Sequence, residues 1–265
     1  MGIHKLLAAA LLAATVAVAP TWAQDPLSVV DLNSPEMSEA EMTRADVEKI
    51  LKAASAEKPA DFTAKRLSGL DLSGLDFSKA ILRSARLNNA KLVGAKFVDA
   101  VLDQAWLLKA DLTGADMRGA HMFQGQFRGA KLDGADLSGA RVASDLTKTS
   151  LKGAKLVGAD LGADMRNQSM GLMRGILKSA DLEGADFTDA NLSRVDLEFS
   201  SLKGANLSGA NMMSAQLGGA DLTGAKVKGT NFNKADVTSA TLKALVNAEN
   251  SNLENAKNLG SAFRD

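Results

Sequence analysis

An apolar residue recurs at every fifth position from residue 62 to residue 142 of this 265-residue chain. The members of the series are Phe62, Leu67, Leu72, Phe77, Leu82, Leu87, Leu92, Phe97, Leu102, Leu107, Leu112, Met117, Met122, Phe127, Leu132, Leu137 and Val142. An alanine usually stands two residues before each member. A short, fixed period of this kind is typical of repeat proteins, in which each repeat buries its apolar face only against its neighbours. The period therefore constrains the fold before any single residue is considered.

The period of five excludes an α-helix and favours an extended chain that turns at regular intervals. An α-helix repeats every 3.6 residues, so a period of five would spread these side chains around its surface. In an extended segment, side chains two residues apart point the same way, so Ala110 and Leu112 face the interior while Asp111 faces solvent. The next two positions favour Ser, Thr, Lys and Gly, which are turn-forming residues. Each repeat is predicted to be a very short strand followed by a corner, and the chain to coil into a β-solenoid.

The repeat A-[D/N]-L-x-x, as in residues 110–114 and 135–139, resembles that of the pentapeptide-repeat family. The resemblance covers roughly residues 60–244. It implies an all-β solenoid, a right-handed quadrilateral β-helix with four repeats in each coil, in which residues twenty apart stack in columns. The columns expected from this stacking are an alternating-charge column (Asp71, Lys91, Asp111, Lys131), an amide ladder (Asn191, Asn211, Asn231) and a cation–π pair (Arg86, Trp106).

The register of the series slips between residues 142 and 177. Leu146 follows Val142 after four residues, and the later centres are assigned to Met165, Leu172 and Leu177. We expect a bulged corner or a small loop that leaves the coil near residues 162–176. Two interpretations remain open: an insertion that a corner tolerates, since loop length costs little, or a binding loop on a rigid scaffold.

The first residues are typical of an export signal. A short basic start is followed by an apolar run, Leu6 to Val18, and by a small-residue region that ends at Ala23. The run is too short to span a bilayer as a helix. We therefore expect a signal peptide over residues 1–23, with cleavage after Ala23, and a periplasmic or secreted bacterial protein without a membrane span.

The two ends of the repeat region need elements that cover its edges. Residues 24–59 are predicted to form a linker and a short N-terminal α-helical cap, with residues 25–38 irregular or extended. The helix is placed at roughly 44–56, because the residues Val47, Ile50, Leu51 and Ala54 share one helix face. Thr43 and Asp46 resemble a capping box. The repeat β-helix is assigned to residues 60–244, and a final irregular coil with a short helical cap to residues 245–265.

Composition offers little catalytic chemistry. The chain has 31 Lys+Arg, 31 Asp+Glu and no cysteine, so it lacks the basic surface that attracts nucleic acid and any thiolate site. Beyond the signal there is one histidine, His121, where a nucleophile triad would need a histidine placed by a third group. We predict no catalytic residues, no cofactor and no enzyme activity. The sole metal candidate is a methionine group that could bind Cu(I) or simply fill gaps in the packing: Met165, Met170 and Met173.

Outward-facing aromatic and arginine side chains mark the best candidates for partner binding, because such residues are enriched at binding hot spots. The outward aromatic residues are Trp106, Phe123 and Phe199. The predicted partner-binding residues are Arg86, Trp106, Phe123 and Arg128, together with Arg166, Met170 and Met173 in the slipped region.

The sequence favours a non-enzymatic, exported scaffold or protein-interaction module built on a rigid β-helix. Its partner would be an envelope protein or a cell-wall component, and homodimers remain open because related coils can pair through a terminal helix. The resemblance implies one alternative, a DNA-mimicking protein that binds gyrase; the export signal and the neutral charge disfavour it. A third hypothesis is metal or small-ligand binding at the methionine-containing loop.

Overall fold

A computed structural model of the chain describes residues 27, 30–163 and 173–265. The predicted signal, residues 1–23, lies outside the described residues, and so do Met165, Arg166, Met170 and Leu172. The chain divides into two units after Leu32. In the first unit, the Val30 N–H donates to the Leu27 carbonyl at 3.2 Å. No helix in the described part of the chain is long and apolar enough to cross a membrane.

The second unit, Asn33–Asp265, is built on parallel backbone pairing between residues twenty apart. Asp71 pairs with Lys91, Lys91 with Asp111, and Asp111 with Lys131. Four such columns run side by side, one every five residues, so each coil has four sides. Each pairing is a single-residue bridge, and the described residues contain no longer strand. The predicted short strands are therefore reduced to one residue each, because a corner interrupts the extended chain in every repeat.

The backbone hydrogen bonds of one repeat explain why the period is five. The Asp111 N–H donates back to the Ala90 carbonyl at 2.9 Å, and the Leu112 N–H donates forward to the Lys131 carbonyl at 2.7 Å. At the corner, Gly114 has a positive φ of 65°, a conformation that glycine adopts without steric cost. Its N–H also reaches the next coil. Each side is thus bonded to the coils on both of its edges.

The interior is filled by the apolar series. Every member of the series from Phe62 to Val142 has zero exposure, and the alanines from Ala80 onward in this stretch are at most 1% exposed. Full burial of a large apolar side chain stabilises a fold by about 1.5–3 kcal/mol. Phe77 and Phe97, twenty residues apart, stack with ring centroids 5.1 Å apart. The prediction that this series fills the axis of the coil is confirmed.

The register slip has two parts. Bridges from Gln126 to Asp145 span 19 residues, which accounts for the four-residue step before Leu146. The next bridge in the column, Asp145 to Ile176, spans 31 residues in place of 20. The bridged positions on either side of the additional residues are Asp160 and Ile176, so the additional residues all lie in sequence between them. The assignment of Met165 and Leu172 as successive centres concerns residues outside those described and stays a prediction; in the described part of the chain the ladder resumes at Ile176.

Two helices precede the coil: α1, Pro35–Ser38, and α2, Arg44–Ala53. Helix α1 lies in the lead that was predicted to be irregular, and Pro35 in its first turn supplies a φ suited to a helix start. Helix α2 begins with the capping box of Thr43 and Asp46, as predicted. It ends three residues earlier than expected, and Ala54 is consequently exposed.

Helix α2 contacts the first coil through its apolar face and through one arginine. Val47 has zero exposure and belongs to the core, and Ile50 and Leu51 pack against it. Arg44 donates from Nη1 to the Asp71 carbonyl at 2.9 Å and from Nη2 to the Ser73 carbonyl at 3.2 Å. These carbonyls belong to the first coil.

The last coil is irregular, and its helical segments are short 3-10 turns with no α-helix among the described residues. Val246, Lys257 and Phe263 continue the bridge columns at spacings of 20, 21 and 22 residues. The extra residues form single 3-10 turns at the corners, Ala248–Asn250, Leu253–Asn255 and Leu259–Ser261. The widened spacing accounts for these turns.

Candidate partner surface

Three of the predicted partner-binding residues lie on one side of three successive coils. Bridges join Arg86 to Trp106 and Trp106 to Gln126, and Arg128 follows Gln126 by two residues. Trp106 is half-buried. The Arg128 Nη2 lies 2.9 Å from Asp145 Oδ2, so the guanidinium is held by a neighbouring carboxylate. The coil therefore brings an indole and two guanidinium groups together on a rigid backbone.

The expected cation–π pair between Arg86 and Trp106 is replaced by an ion pair. The Arg86 Nη2 lies 2.7 Å from the Glu36 Oε1 of helix α1. The guanidinium is therefore directed to the carboxylate, which offers a stronger charge-assisted hydrogen bond than the face of an indole. Sequence analysis did not anticipate this contact, since Glu36 and Arg86 are 50 residues apart.

Helix α1 is fixed to the same side through buried polar contacts. The Met37 carbonyl accepts from Ser68 Oγ at 2.9 Å and from Asn88 Nδ2 at 3.0 Å. Asn88 Oδ1 in turn accepts from the Leu108 N–H at 3.0 Å. All four residues are buried. The α1 segment and the Trp106 side therefore form one continuous surface of the second unit.

Phe123 lies on the adjoining side of the coil, apart from Arg86 and Trp106. The Arg141 guanidinium lies 5.4 Å from the centre of its ring, which is the geometry of a cation–π contact. The Phe123 N–H donates to Asp103 Oδ1 at 3.0 Å. Together with His121 these residues line a shallow cavity of about 180 Å³.

Of the three methionines predicted to form a site in the slipped region, Met173 is the one that lies in the described part of the chain. Its Sδ lies 3.0 Å from Gln124 Nε2, which donates to it, and Gln124 follows Phe123 directly. Approach of Met165 and Met170 to Met173 remains a prediction. Among the described residues, no group of three or more His, Cys, Asp or Glu is placed to hold a metal ion.

Several outward carboxylates are stabilised in their ionised form by hydrogen bonds from a residue at the corner of the same repeat. Hydrogen bonds from Thr63 lower the pKa of Asp61, and those from Ser73 lower the pKa of Asp71. A hydrogen bond from Arg118 likewise lowers the pKa of Asp116. A general acid needs the opposite change, a carboxyl whose pKa is raised toward neutrality. These carboxylates are suited to structural roles.

A quadrilateral coil with alanine and leucine along its axis defines the class of the fold, and family comparison agrees. The family model described as pentapeptide repeats (8 copies) matches this chain over residues 60–97, 95–139, 126–167, 190–229 and 215–245. The chain belongs to the pentapeptide repeat family. The solved neighbours of this family imply that the coil is a right-handed β-helix solenoid.

Two solved structures show the likeness in detail. One is HetL, a pentapeptide repeat protein involved in heterocyst differentiation regulation from the cyanobacterium Nostoc sp. strain PCC 7120. It is 26% identical, with a TM-score of 0.66 over 83% of this chain and 96% of HetL. The other is QnrB1, a plasmid-mediated fluoroquinolone resistance protein, 19% identical with a TM-score of 0.60 over 72% of this chain and 91% of QnrB1. The likeness to QnrB1 concerns the fold alone. Comparison with curated proteins gave no match.

Proposed function

We propose that this chain is a non-enzymatic, exported scaffold that binds a protein of the cell envelope through the side carrying Arg86, Trp106 and Arg128. The observation that carries the proposal is the presence of Trp106 between two arginine-bearing coils on a backbone bonded along both edges. Trp and Arg are the residues most enriched at binding hot spots. A surface that is rigid before binding loses little conformational entropy when its partner docks.

The second support is that outward polar groups have structural partners. The carboxylates of Asp61, Asp71 and Asp116 bond to their own corners, and Arg86 and Arg128 pair with Glu36 and Asp145. These side chains are held by structural contacts and are not placed for proton transfer. Helix α2 serves in this proposal as the cover of the first coil, and export follows from the signal predicted over residues 1–23.

A gyrase-binding DNA mimic is the less supported alternative. The fold likeness to a fluoroquinolone resistance protein favours this alternative. A mimic of duplex DNA, however, needs an extended run of negative charge. The column Asp71, Lys91, Asp111 and Lys131 instead alternates in sign along adjacent coils, and the chain has equal numbers of acidic and basic residues. Ligand capture at the methionine-containing loop is kept as a further proposal.

Affinity capture from the envelope fraction tests the leading proposal. The tagged full chain, its Trp106→Ala variant and a Val93→Ala control would be compared, since Val93 is also outward and is 43% exposed on a different side. A protein captured by the wild-type chain and by the control would be purified and titrated directly. We expect Trp106→Ala to weaken its binding by at least about tenfold.

Equal affinity of the Trp106→Ala variant would contradict the assignment of this surface. Recovery of the chain only from the cytoplasm, together with inhibition of gyrase, would favour the DNA-mimic alternative. Thermal unfolding of all three proteins controls for a loss of fold.

A further inference from the structure

Phe199 is an exposed aromatic residue in a backbone conformation that aromatic side chains rarely adopt. Its φ is 58°, in the left-handed region, and it is the one aromatic residue among the described residues with a positive φ. Left-handed backbone brings Cβ close to a carbonyl oxygen, so glycine and small polar residues are preferred there. The side chain is nevertheless 62% exposed. Packing in the core does not compensate for this conformation.

The next coil leaves space for the Phe199 ring. Gly218 and Gly219, which form the only Gly-Gly pair of the sequence, lie twenty residues after Glu198 and Phe199. A Cβ on Gly219 would lie 2.7 Å from Phe199 Cδ1, so the ring occupies the volume that a side chain would need. At Gly218 a Cβ would make only ordinary contacts, the nearest at 3.7 Å. The backbone of Gly218 and Gly219 therefore forms the floor of a depression, and the Phe199 ring forms one of its walls.

A cavity of about 390 Å³ results, with polar groups around its rim. Such a volume lies within the range of small-ligand sites. The lining residues are Glu198, Phe199, Gln216, Gly218, Gly219, Asp236, Thr238 and Ser239. The Thr238 hydroxyl and Asn258 Nδ2 both donate hydrogen bonds to the same oxygen of Asp236, Oδ1. This leaves Oδ2 as an acceptor for a ligand.

Charges at the rim are balanced, which favours a neutral ligand. Lys178 Nζ lies 2.7 Å from Glu198 Oε2 and 5.6 Å from the centre of the Phe199 ring. Asp236 is bridged by its backbone to Lys257 on the next coil; hydrogen bonds from Thr238 and Asn258, and then the positive charge of Lys257, lower the pKa of its carboxyl. Each carboxylate of the pocket thus has a lysine nearby, so neither an anion nor a cation would gain a large net attraction.

We propose that this pocket binds a neutral oligosaccharide built of hexose rings. A hexose ring presents a flat face of C–H groups, which packs on an aromatic ring, and a rim of hydroxyls. The hydroxyls need partners that both accept and donate hydrogen bonds, and carboxylate, amide and hydroxyl groups together provide them. Glu198, Gln216 and Thr238 supply these groups around Phe199. The pocket lies four bridge steps from Trp106, so the proposal does not depend on the partner surface.

Calorimetric titration with two neutral probes, cellohexaose and fully N-acetylated chitohexaose, tests the proposal on the full chain. We expect saturable binding of at least one probe with a Kd below about 1 mM. Phe199→Ser removes the ring, and Gly218→Val fills the floor without left-handed strain. Both should weaken binding by about tenfold. Val93→Ser and Trp106→Ala should leave binding unchanged, which separates this site from the partner surface.

Unfolding measurements distinguish a lost site from a lost fold. Phe199→Ser should unfold at the same temperature as the wild type or higher, because serine is better tolerated at a positive φ, as at Ser179 and Ser239. Absence of binding to both probes at millimolar concentration would overturn the proposal. So would equal affinity of the wild type, Phe199→Ser and Gly218→Val for the probe that binds.

Discussion

Asp111 Oδ1 accepts two hydrogen bonds from Thr113, one from the backbone N–H at 3.1 Å and one from the hydroxyl at 2.6 Å. The Thr113 N–H points into the corner, away from the ladder, so the carboxylate satisfies a donor that the coil itself leaves without a backbone partner. The same arrangement recurs at Asp136–Ser138, Asp186–Thr188, Asp221–Thr223 and Asp236–Thr238. This geometry explains why Asp or Asn precedes the central leucine and Ser or Thr follows it.

Removal of the Asp111 carboxylate should therefore destabilise the coil. We expect Asp111→Ala to lower the free energy of unfolding by about 1 kcal/mol, since a corner N–H loses its acceptor. Lys131→Ala, at the same outward position of the next coil, is the matched control and should change little. Urea denaturation followed by circular dichroism measures both. Equal midpoints for the two variants would show that the corner bond does not stabilise the fold.

Acid should destabilise the coil through the same corners. Hydrogen bonds from Thr63 hold the pKa of Asp61 below its ordinary value of 3.8, and those from Ser73 do so for Asp71. A folded-state pKa below the unfolded value gives a contribution that is complete above the unfolded pKa and is lost as the pH falls through the folded one. The unfolding temperature should thus be nearly constant above about pH 5 and fall below about pH 4.

Thermal unfolding between pH 2 and pH 8 checks this profile. A double variant, Asp61→Asn with Asp71→Asn, keeps an acceptor at each corner and removes two titrating groups, so its fall in acid should be shallower. An acid profile identical to that of the wild type would contradict the assigned role of these carboxylates.

The stacked pair Phe77 and Phe97 predicts a large effect of core truncation. Phe97 has zero exposure, and its ring lies 6° from parallel with that of Phe77. Phe97→Ala should cost about 3–5 kcal/mol, because the lost transfer energy is joined by the cavity left behind. Phe97→Leu should cost less, since leucine is the commonest centre of the series. Similar unfolding midpoints for the Ala and Leu variants would argue against tight packing along the axis.

The period of the sequence, together with the four repeats in each coil that the resemblance to pentapeptide repeats implies, was enough to predict the columns of the coil. Phe77 stacks on Phe97 and Asn231 donates to Asn211 at 3.1 Å, because four equal repeats bring residues twenty apart into contact. Helix α2 was also predictable from its capping box and its single apolar face. These features depend on local spacing, which a sequence states directly.

Contacts across long separations were not predictable in the same way. The pairing of Glu36 with Arg86 depends on the path of the chain before the first coil, which no repeat encodes. The point at which the ladder resumes after the register slip was not predictable either, because apolar residues can match the period by chance, and the bridge from Asp145 to Ile176 fixes that point. The Phe199 pocket could have been found, since Gly218-Gly219 lies twenty residues after Glu198-Phe199. That column comparison was the signal that was missed.

Detachment of helix α2 should affect the first coil and leave the distant coils intact. Val47 is fully buried against the core, so Val47→Asp places a charge where it has no solvent. Each coil contacts only its neighbours, and stability is therefore expected to change locally. Hydrogen exchange should accelerate at the backbone amides of residues 60–80 and remain unchanged at those of residues 200–240.

Lys49→Asp on the exposed face of the same helix is the matched control for charge and helix propensity. It should leave exchange in both regions as in the wild type. Uniform acceleration along the whole coil in Val47→Asp would mean that the chain unfolds as one cooperative unit. In that case the nearest-neighbour account of its stability would fail, because a single buried charge at one end would then weaken backbone bonds seven coils away.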